Sequence, residues 1–269
     1  MAEIPIQPKK SLGQNFLYDK NILKKIVRAV QPQPGENVIE IGPGTGALTG
    51  HLIGSCRHLW VIEKDKRAVD LLKRRYDGER TLTIVHADVL EVALKELVGN
   101  GGRRVRIIGN IPYYITSPLV IHLLNQRAIV NDAMLLLQRE AARRIVAPPG
   151  SREYGIVSVL AQTWSEISIL FKVSAEVFYP KPSVESAVLR MQFRDPDREI
   201  RNEDLYREIV RGTFAKRRKM VRGSLHSLFP DVNIAEALGP AGLDKRPEQL
   251  TVTDFIQLSN RLNEVIYQH

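Results

Sequence analysis

Three glycines, two carboxylates and an asparagine fall at one kind of place in this chain, just past a short apolar run. Gly42, Gly44 and Gly46 follow NVIEI, Glu63 follows WVI, Asp88 follows IVHA and Asn110 follows IIG. Glycines in a strand-to-helix turn let a ligand approach the backbone closely. Glu63 lies about twenty residues beyond them, the spacing of a carboxylate that grips ribose hydroxyls. Asp88 can accept a hydrogen bond from an exocyclic amine such as that of adenine. Any one of these acids would also serve as the N-cap of a following helix. Three polar groups at the same place on successive runs favour one shared binding edge.

The glycine string GPGTGA also satisfies the dinucleotide pattern G-x-G-x-x-A, so an adenosine moiety could belong to NAD or to S-adenosylmethionine. The segment GNIPYYIT, residues 109–116, separates them. As a bare turn it needs only Asn and Pro as punctuation, with Tyr capping a core. As a pocket it holds a flat, hydrogen-bonding ring. Hydride transfer has no use for an Asn-x-Pro-aromatic loop, whereas methyl transfer to an exocyclic amine does. The lone pair of adenine N6 is delocalised into the ring, and two acceptors on its hydrogens would help the nitrogen pyramidalise. Asn110 offers its side-chain carbonyl and Ile111 its main-chain carbonyl, Pro112 holds the chain direction, and Tyr113 stacks on the ring. Positioning and preorganised dipoles then lower the barrier without a strong general base.

The elements that must position these groups are legible as alternation. NVIEIG (37–42), HLWVIEKD (58–65), LTIVHAD (82–88) and RIIGN (106–110) read as strands, and the segments between them, such as 49–53 and 66–75, carry helical spacing. That is the pattern of βαβ units around a parallel sheet, an α/β Rossmann-like fold with helices on both faces. A fifth run, 133–137, leads into the helix-like REAARRIV. SILFKVS (168–174) and SAVLRMQF (186–193) suit antiparallel pairing at a sheet edge. RDPDREI (194–200) reads as a polar boundary, which divides the chain into a catalytic domain, 1–195, and a smaller all-helical domain, 196–269. Helices are expected over 205–214, 220–229, 234–238 and 252–265, the last opened by Thr253 as N-cap.

Composition narrows the partners. The chain has 269 residues and a formal net charge of +9, and Lys216, Arg217, Arg218, Lys219 and Arg222 put five cations into the seven residues KRRKMVR. A solvated helix face is the ordinary reading of such a run. Further clusters around Lys9 and Lys10, around Arg103, Arg104 and Arg106, and around Arg139, Arg143 and Arg144 favour a nucleic acid, whose phosphates reward cations by counterion release. One cysteine excludes an intramolecular disulfide, and six scattered histidines give no zinc spacing. No metal site is expected. The absence of a long apolar run or a signal-like N-terminus predicts a soluble, cytoplasmic protein with no membrane partner.

In order, KKSLGQNFL (9–17), EIGPGTGALT (40–49), VIEKD (61–65), HADVL (86–90) and NIPYY (110–114) resemble the motifs of the ribosomal RNA adenine N6-dimethyltransferases, nearly end to end. The resemblance implies that Gln14, Asn15, Leu17, Gly42, Gly44, Gly46, Glu63, Asp88 and Asn110 contact S-adenosylmethionine. VFYPKPSVES (177–186) is similar to the family's F-x-P-x-P-x-V-x-S segment, in which Phe178 closes over the target adenine opposite Tyr113. Lys9, Lys10, Arg143, Arg144 and the KRRKMVR cations would then contact RNA, whose unstacked bases are read on aromatic faces. Ile111 stands where the small-subunit branch more often has Leu, and leans toward the Erm branch, which acts on large-subunit RNA, or toward the archaeal and eukaryotic relatives. FAKRRKMVRGSL (214–225) and AGLDKRPEQLTVTDFIQLSNRL (241–262) resemble the small-subunit branch. The expectation is therefore dimethylation of N6 on two adjacent adenosines in the 3′-terminal hairpin loop of 16S rRNA, by a monomer acting on the assembling small subunit. Erm-type activity and a non-catalytic, RNA-binding or transcription-associated role are the alternatives.

Overall fold

The computed structural model describes residues 6–99, 104–235 and 244–267. They fall into two compact units, one comprising 1–142 with 167–193, the other 143–166 with 194–269.

The first unit is built on parallel strands that are almost wholly apolar because helices cover both faces. Strands β2 (Asn37–Ile41), β3 (His58–Glu63), β4 (Leu82–His86), β5 (Val105–Asn110) and β6 (Val130–Gln138) form it together with β7 (Ser165–Val173) and β9 (Ser186–Phe193), in the order β4-β3-β2-β5-β6-β9-β7. Neighbours from β4 to β6 are parallel and β9 runs antiparallel to β6. The reversal of strand order around β2 is a topological switch point, where such sheets open a crevice at their carboxyl ends. Register sharpens this: Ile41 pairs with Ile62 on one side and Gly109 on the other, and Glu63 pairs with His86. The residues after β2, β3, β4 and β5 are thus brought level. A separate two-stranded sheet pairs β1 (Phe16–Leu17) with β8 (Phe178–Tyr179). Helix α1 (Lys20–Val30), not foreseen in the sequence, is capped by Asp19, which accepts from the amides of Asn21 and Ile22, and buries Leu23, Ile26 and Val30.

At the amino ends of the strands Arg106 donates through Nε to Asp132 Oδ1 at 2.7 Å and through Nη2 to Oδ2 at 2.6 Å, and also reaches Glu36. Burial and these partners take Arg106 out of the nucleic-acid clusters to which its spacing assigned it, since Nε and Nη2 hold Asp132 while Nη1 donates to Glu36 and the Gln31 carbonyl. Arg104 donates to the Ala128 carbonyl, and Arg103 lies outside the described residues.

The second unit holds α7 (Ile156–Trp164), α8 (Glu203–Ala215), α9 (Val221–Leu228) and α10 (Val252–Tyr267), with most of 234–238 outside the described residues. It departs from a cut at 195. Trp164 on α7 meets Tyr206 on α8 edge-on at 5.6 Å, and the Thr163 and Tyr206 hydroxyls lie 2.7 Å apart. An apolar face that buries this way against α8 groups 143–166 with the later helices. The cap of α10 is Thr251 rather than Thr253, because the Thr251 hydroxyl accepts from the Asp254 amide while the Asp254 carboxylate accepts from the Thr251 amide.

Candidate active site

A cleft open to solvent lies at the carboxyl ends of β2 to β5. Gly42, Gly44, Glu63, Asp88 and the whole of Asn110 to Ile115 line it, and the N-terminal segment Leu12–Phe16 supplies another wall. The parallel register places them there.

Gly44 has φ of +55°, and a Cβ on it would stand 2.8 Å from the Phe16 ring, so the turn needs glycine twice over. Its amide donates to Glu63 Oε2 at 3.1 Å, and Glu63 Oε1 accepts from the Asp65 amide at 2.7 Å. Burial pushes the Glu63 carboxyl up while these two amides oppose the push. Each oxygen keeps a lone pair for a ribose hydroxyl. Asp88 caps the turn after β4 through the Leu90 amide and pairs with Lys64 Nζ at 2.6 Å, and this lysine holds its carboxyl below the usual range. It is both a cap and a lining acceptor.

Asn110 sits between two elements far apart in sequence. Its Nδ2 donates to the main-chain carbonyl of Asn15 at 2.8 Å, which fixes the amide and leaves Oδ1 as the free end. Ile111 is buried and its amide donates to the Leu136 carbonyl at 2.9 Å, and Pro112 follows with φ of −55°. Tyr113 is half-buried, which raises its phenol against the opposing hydrogen bond with the Ser186 side chain. Gln14 lines the cleft with both ends of its amide engaged: Nε2 donates to Asp65 at 3.0 Å and Oε1 accepts from the Lys9 amide at 2.8 Å. Asp65, held down to about 2 chiefly by Arg67, anchors that wall.

Three expected site residues are elsewhere. Gly46, with φ of +79°, does not line the cleft; a Cβ there would meet Leu72 at 2.7 Å and Tyr76 at 3.3 Å, so this glycine serves helix packing. Leu17 is buried in β1 and borders a second, apolar cavity with Phe16, Leu23 and Ile26. Phe178 pairs with Leu17 across β1 and β8 and is 3% exposed within the core cluster that contains Leu17, Val173 and Val188. Its ring packs in that core cluster and does not line the cleft. Phe16, Lys64 and Ser186 were missed as individual residues, although each lies inside a motif read from the sequence: KKSLGQNFL, VIEKD and the F-x-P-x-P-x-V-x-S segment.

The cations divide by partner. Arg139 pairs with Glu185, Arg217 donates to the Arg152 carbonyl at 2.8 Å, and Arg222 pairs with Asp244 at 3.0 Å. Lys9, Arg143, Arg144, Lys216, Arg218 and Lys219 are exposed without an ion-pair partner among the described residues, and the side chain of Lys10 lies outside them. KRRK is not a helix face but the turn between α8 and α9. Changing Lys216, Arg218 and Lys219 together to Ala is expected to leave the melting temperature unchanged and to weaken RNA binding. The slope of log K against log salt should flatten by about 0.7–0.9 for each phosphate that is no longer neutralised. Arg217→Ala should instead lower the melting temperature, which thermal unfolding distinguishes.

The chain is similar to known proteins in sequence and in fold. The sequence profile described as Ribosomal RNA adenine dimethylase matches residues 6–264. The chain is 40% identical over 256 residues to a Ribosomal RNA small subunit methyltransferase A of Xylella fastidiosa, covering 95% of this chain and 96% of that one. It is 38% identical over 255 residues to the protein of the same name from Francisella tularensis subsp. novicida, covering 95% and 97%. Among solved structures, a dimethyladenosine transferase from Plasmodium falciparum superposes with a TM-score of 0.77 at 24% identity, over 93% of this chain and 98% of that one. The 23S rRNA methyltransferase ErmE superposes with a TM-score of 0.65 at 27% identity, over 93% and 100%.

Proposed function

The chain belongs to the ribosomal RNA adenine dimethylase family, and we propose that it methylates N6 of two adjacent adenosines in the 3′-terminal hairpin loop of 16S rRNA to N6,N6-dimethyladenosine. S-adenosylmethionine supplies the methyl group from a sulfonium centre that carries the intrinsic reactivity. The residues fit this cofactor: a turn without side chains at Gly42 and Gly44, a buried carboxylate at Glu63 for ribose and an ionised Asp88 for the adenine amine.

The observation that carries the reading is the fixed amide of Asn110. Asn15 holds Nδ2, which leaves Oδ1 to accept one N6 hydrogen, and the Ile111 carbonyl would take the other. Tyr113 supplies a face for the base. The nitrogen loses its proton to solvent as the new N–C bond forms, and no base need be poised nearby. Lys9, Arg143, Arg144, Lys216, Arg218 and Lys219 would bind RNA phosphates. The protein is expected to act in the cytoplasm as a monomer on the assembling small subunit.

The small-subunit names of the relatives at 38–40% identity favour this target over the Erm-type alternative. The complete loop and glycine turn speak against a non-catalytic role. Labelled S-adenosylmethionine should mark two adjacent adenosines when the enzyme is given undermethylated small subunits and leave large subunits unlabelled. Labelling in the large subunit alone would hand the case to the alternative.

A further inference from the structure

Tyr114 is an aromatic residue that neither the fold nor the reaction just described uses. It follows Tyr113 in the short turn after Pro112, lines the cleft and is 55% exposed. Its hydroxyl has no hydrogen-bond partner among the described residues, in contrast to Tyr113, whose phenol meets Ser186. The backbone of Gly13 lies along one side of the ring, where a Cβ would stand 3.4 Å from Cδ1 and 3.5 Å from Cε1. That support holds the ring up at the rim. A ring held at the rim of the cleft with one face open offers a stacking surface to a flat partner.

The chemistry of the substrate supplies that partner. Swinging one adenosine out of a stack toward Tyr113 strips its neighbour of a stacking face. Residues 113 and 114 are consecutive, so their Cα atoms are about 3.8 Å apart, and the two rings can serve two consecutive nucleotides. Lys64, also at the cleft and exposed, provides a cation on the same rim for the intervening phosphate. We propose that Tyr114 is a stacking platform for the nucleotide adjacent to the adenosine being methylated, so that the enzyme reads the pair rather than a single base. The proposal rests on the rRNA reading above and adds a selectivity for adjacent nucleotides.

The test uses small subunits assembled with unmethylated rRNA carrying either two adjacent adenosines or one adenosine beside an abasic nucleotide. Tyr114→Ala should lower kcat/KM on the paired substrate about tenfold, through KM, with kcat and the Kd for S-adenosylmethionine retained. On the abasic substrate it should match the wild type. Tyr114→Phe should behave as wild type on both, and so should Tyr267→Ala, an exposed tyrosine of α10. Equal loss on both substrates, a weakened cofactor Kd, or no loss at all would overturn the platform. If the wild-type enzyme methylates neither substrate, the rRNA reading fails first and takes the platform with it.

Discussion

Asn110→Ala is expected to reduce methyl transfer by about a hundred- to a thousandfold while S-adenosylmethionine still binds within about tenfold of the wild-type Kd. The size follows from what the substitution removes. The Asn110 carboxamide is aimed before substrate arrives, because its Nδ2 is held by the Asn15 carbonyl at 2.8 Å. A dipole already in place needs no reorganisation in the transition state, and a water that refills the space does. Cofactor affinity survives because Gly44, Glu63 and Asp88 keep their own hydrogen bonds at the carboxyl ends of the neighbouring strands. Single-turnover methylation and equilibrium dialysis separate the two effects. Undiminished transfer by the variant would remove Asn110 from the chemistry. Asn110→Asp is expected to be no rescue, since a carboxylate cannot donate to the Asn15 carbonyl and the side chain loses its orientation.

The parts of this site that were legible in the sequence share one property: they are set by position along a strand. A run such as NVIEI is apolar almost throughout because both faces of β2 are covered, and it ends where glycine begins, so its end could be read to within a residue. Glu63, Asp88 and Asn110 inherit that certainty from their strands. What could not be read was set by partners distant along the chain. Arg106 looks like one more cation until Asp132 and Glu36 are seen around it, and Arg217 and Arg222 look like Lys216 and Lys219 until Arg152 and Asp244 are. Gly46 carries the pattern of a ligand glycine, yet its neighbours are Leu72 and Tyr76. Phe178 and Leu17 bear motif positions but pair with each other into a core. The domain edge differs from the compact units for the same reason: 143–166 is contiguous with the sheet in sequence, and contacts such as Trp164 with Tyr206 and Tyr154 with Phe214 group it with the later helices.

Wild-type stability should fall as pH rises from about 4.5 to about 8, and Glu40→Gln should remove much of that fall. Glu40 lies on β2 at 2% exposure, and its carboxyl accepts a hydrogen bond from the Thr49 hydroxyl at 2.7 Å. Burial pushes its carboxyl from the ordinary 4.5 up to about 8, Thr49 opposes the shift, and nearby Glu63 adds to it. Between those pH values the unfolded chain has released the proton and the folded chain still holds it. The folded state therefore binds more protons, and stability declines with pH by up to about 1.4 kcal/mol per unit for this one group. The decline starts near the unfolded value and levels off above the folded one. Glutamine keeps an acceptor for Thr49 and cannot ionise. Denaturant unfolding at a series of pH values should thus show the variant close to wild type near pH 4 and more stable by a few kcal/mol near pH 8. Glu63, also pushed up by burial, is coupled to Glu40, so the difference between the two proteins reports Glu40 together with its effect on Glu63. A difference that does not change with pH would mean that Glu40 is ionised inside the fold across this range, and that the Thr49 hydroxyl stabilises a buried carboxylate rather than a carboxylic acid.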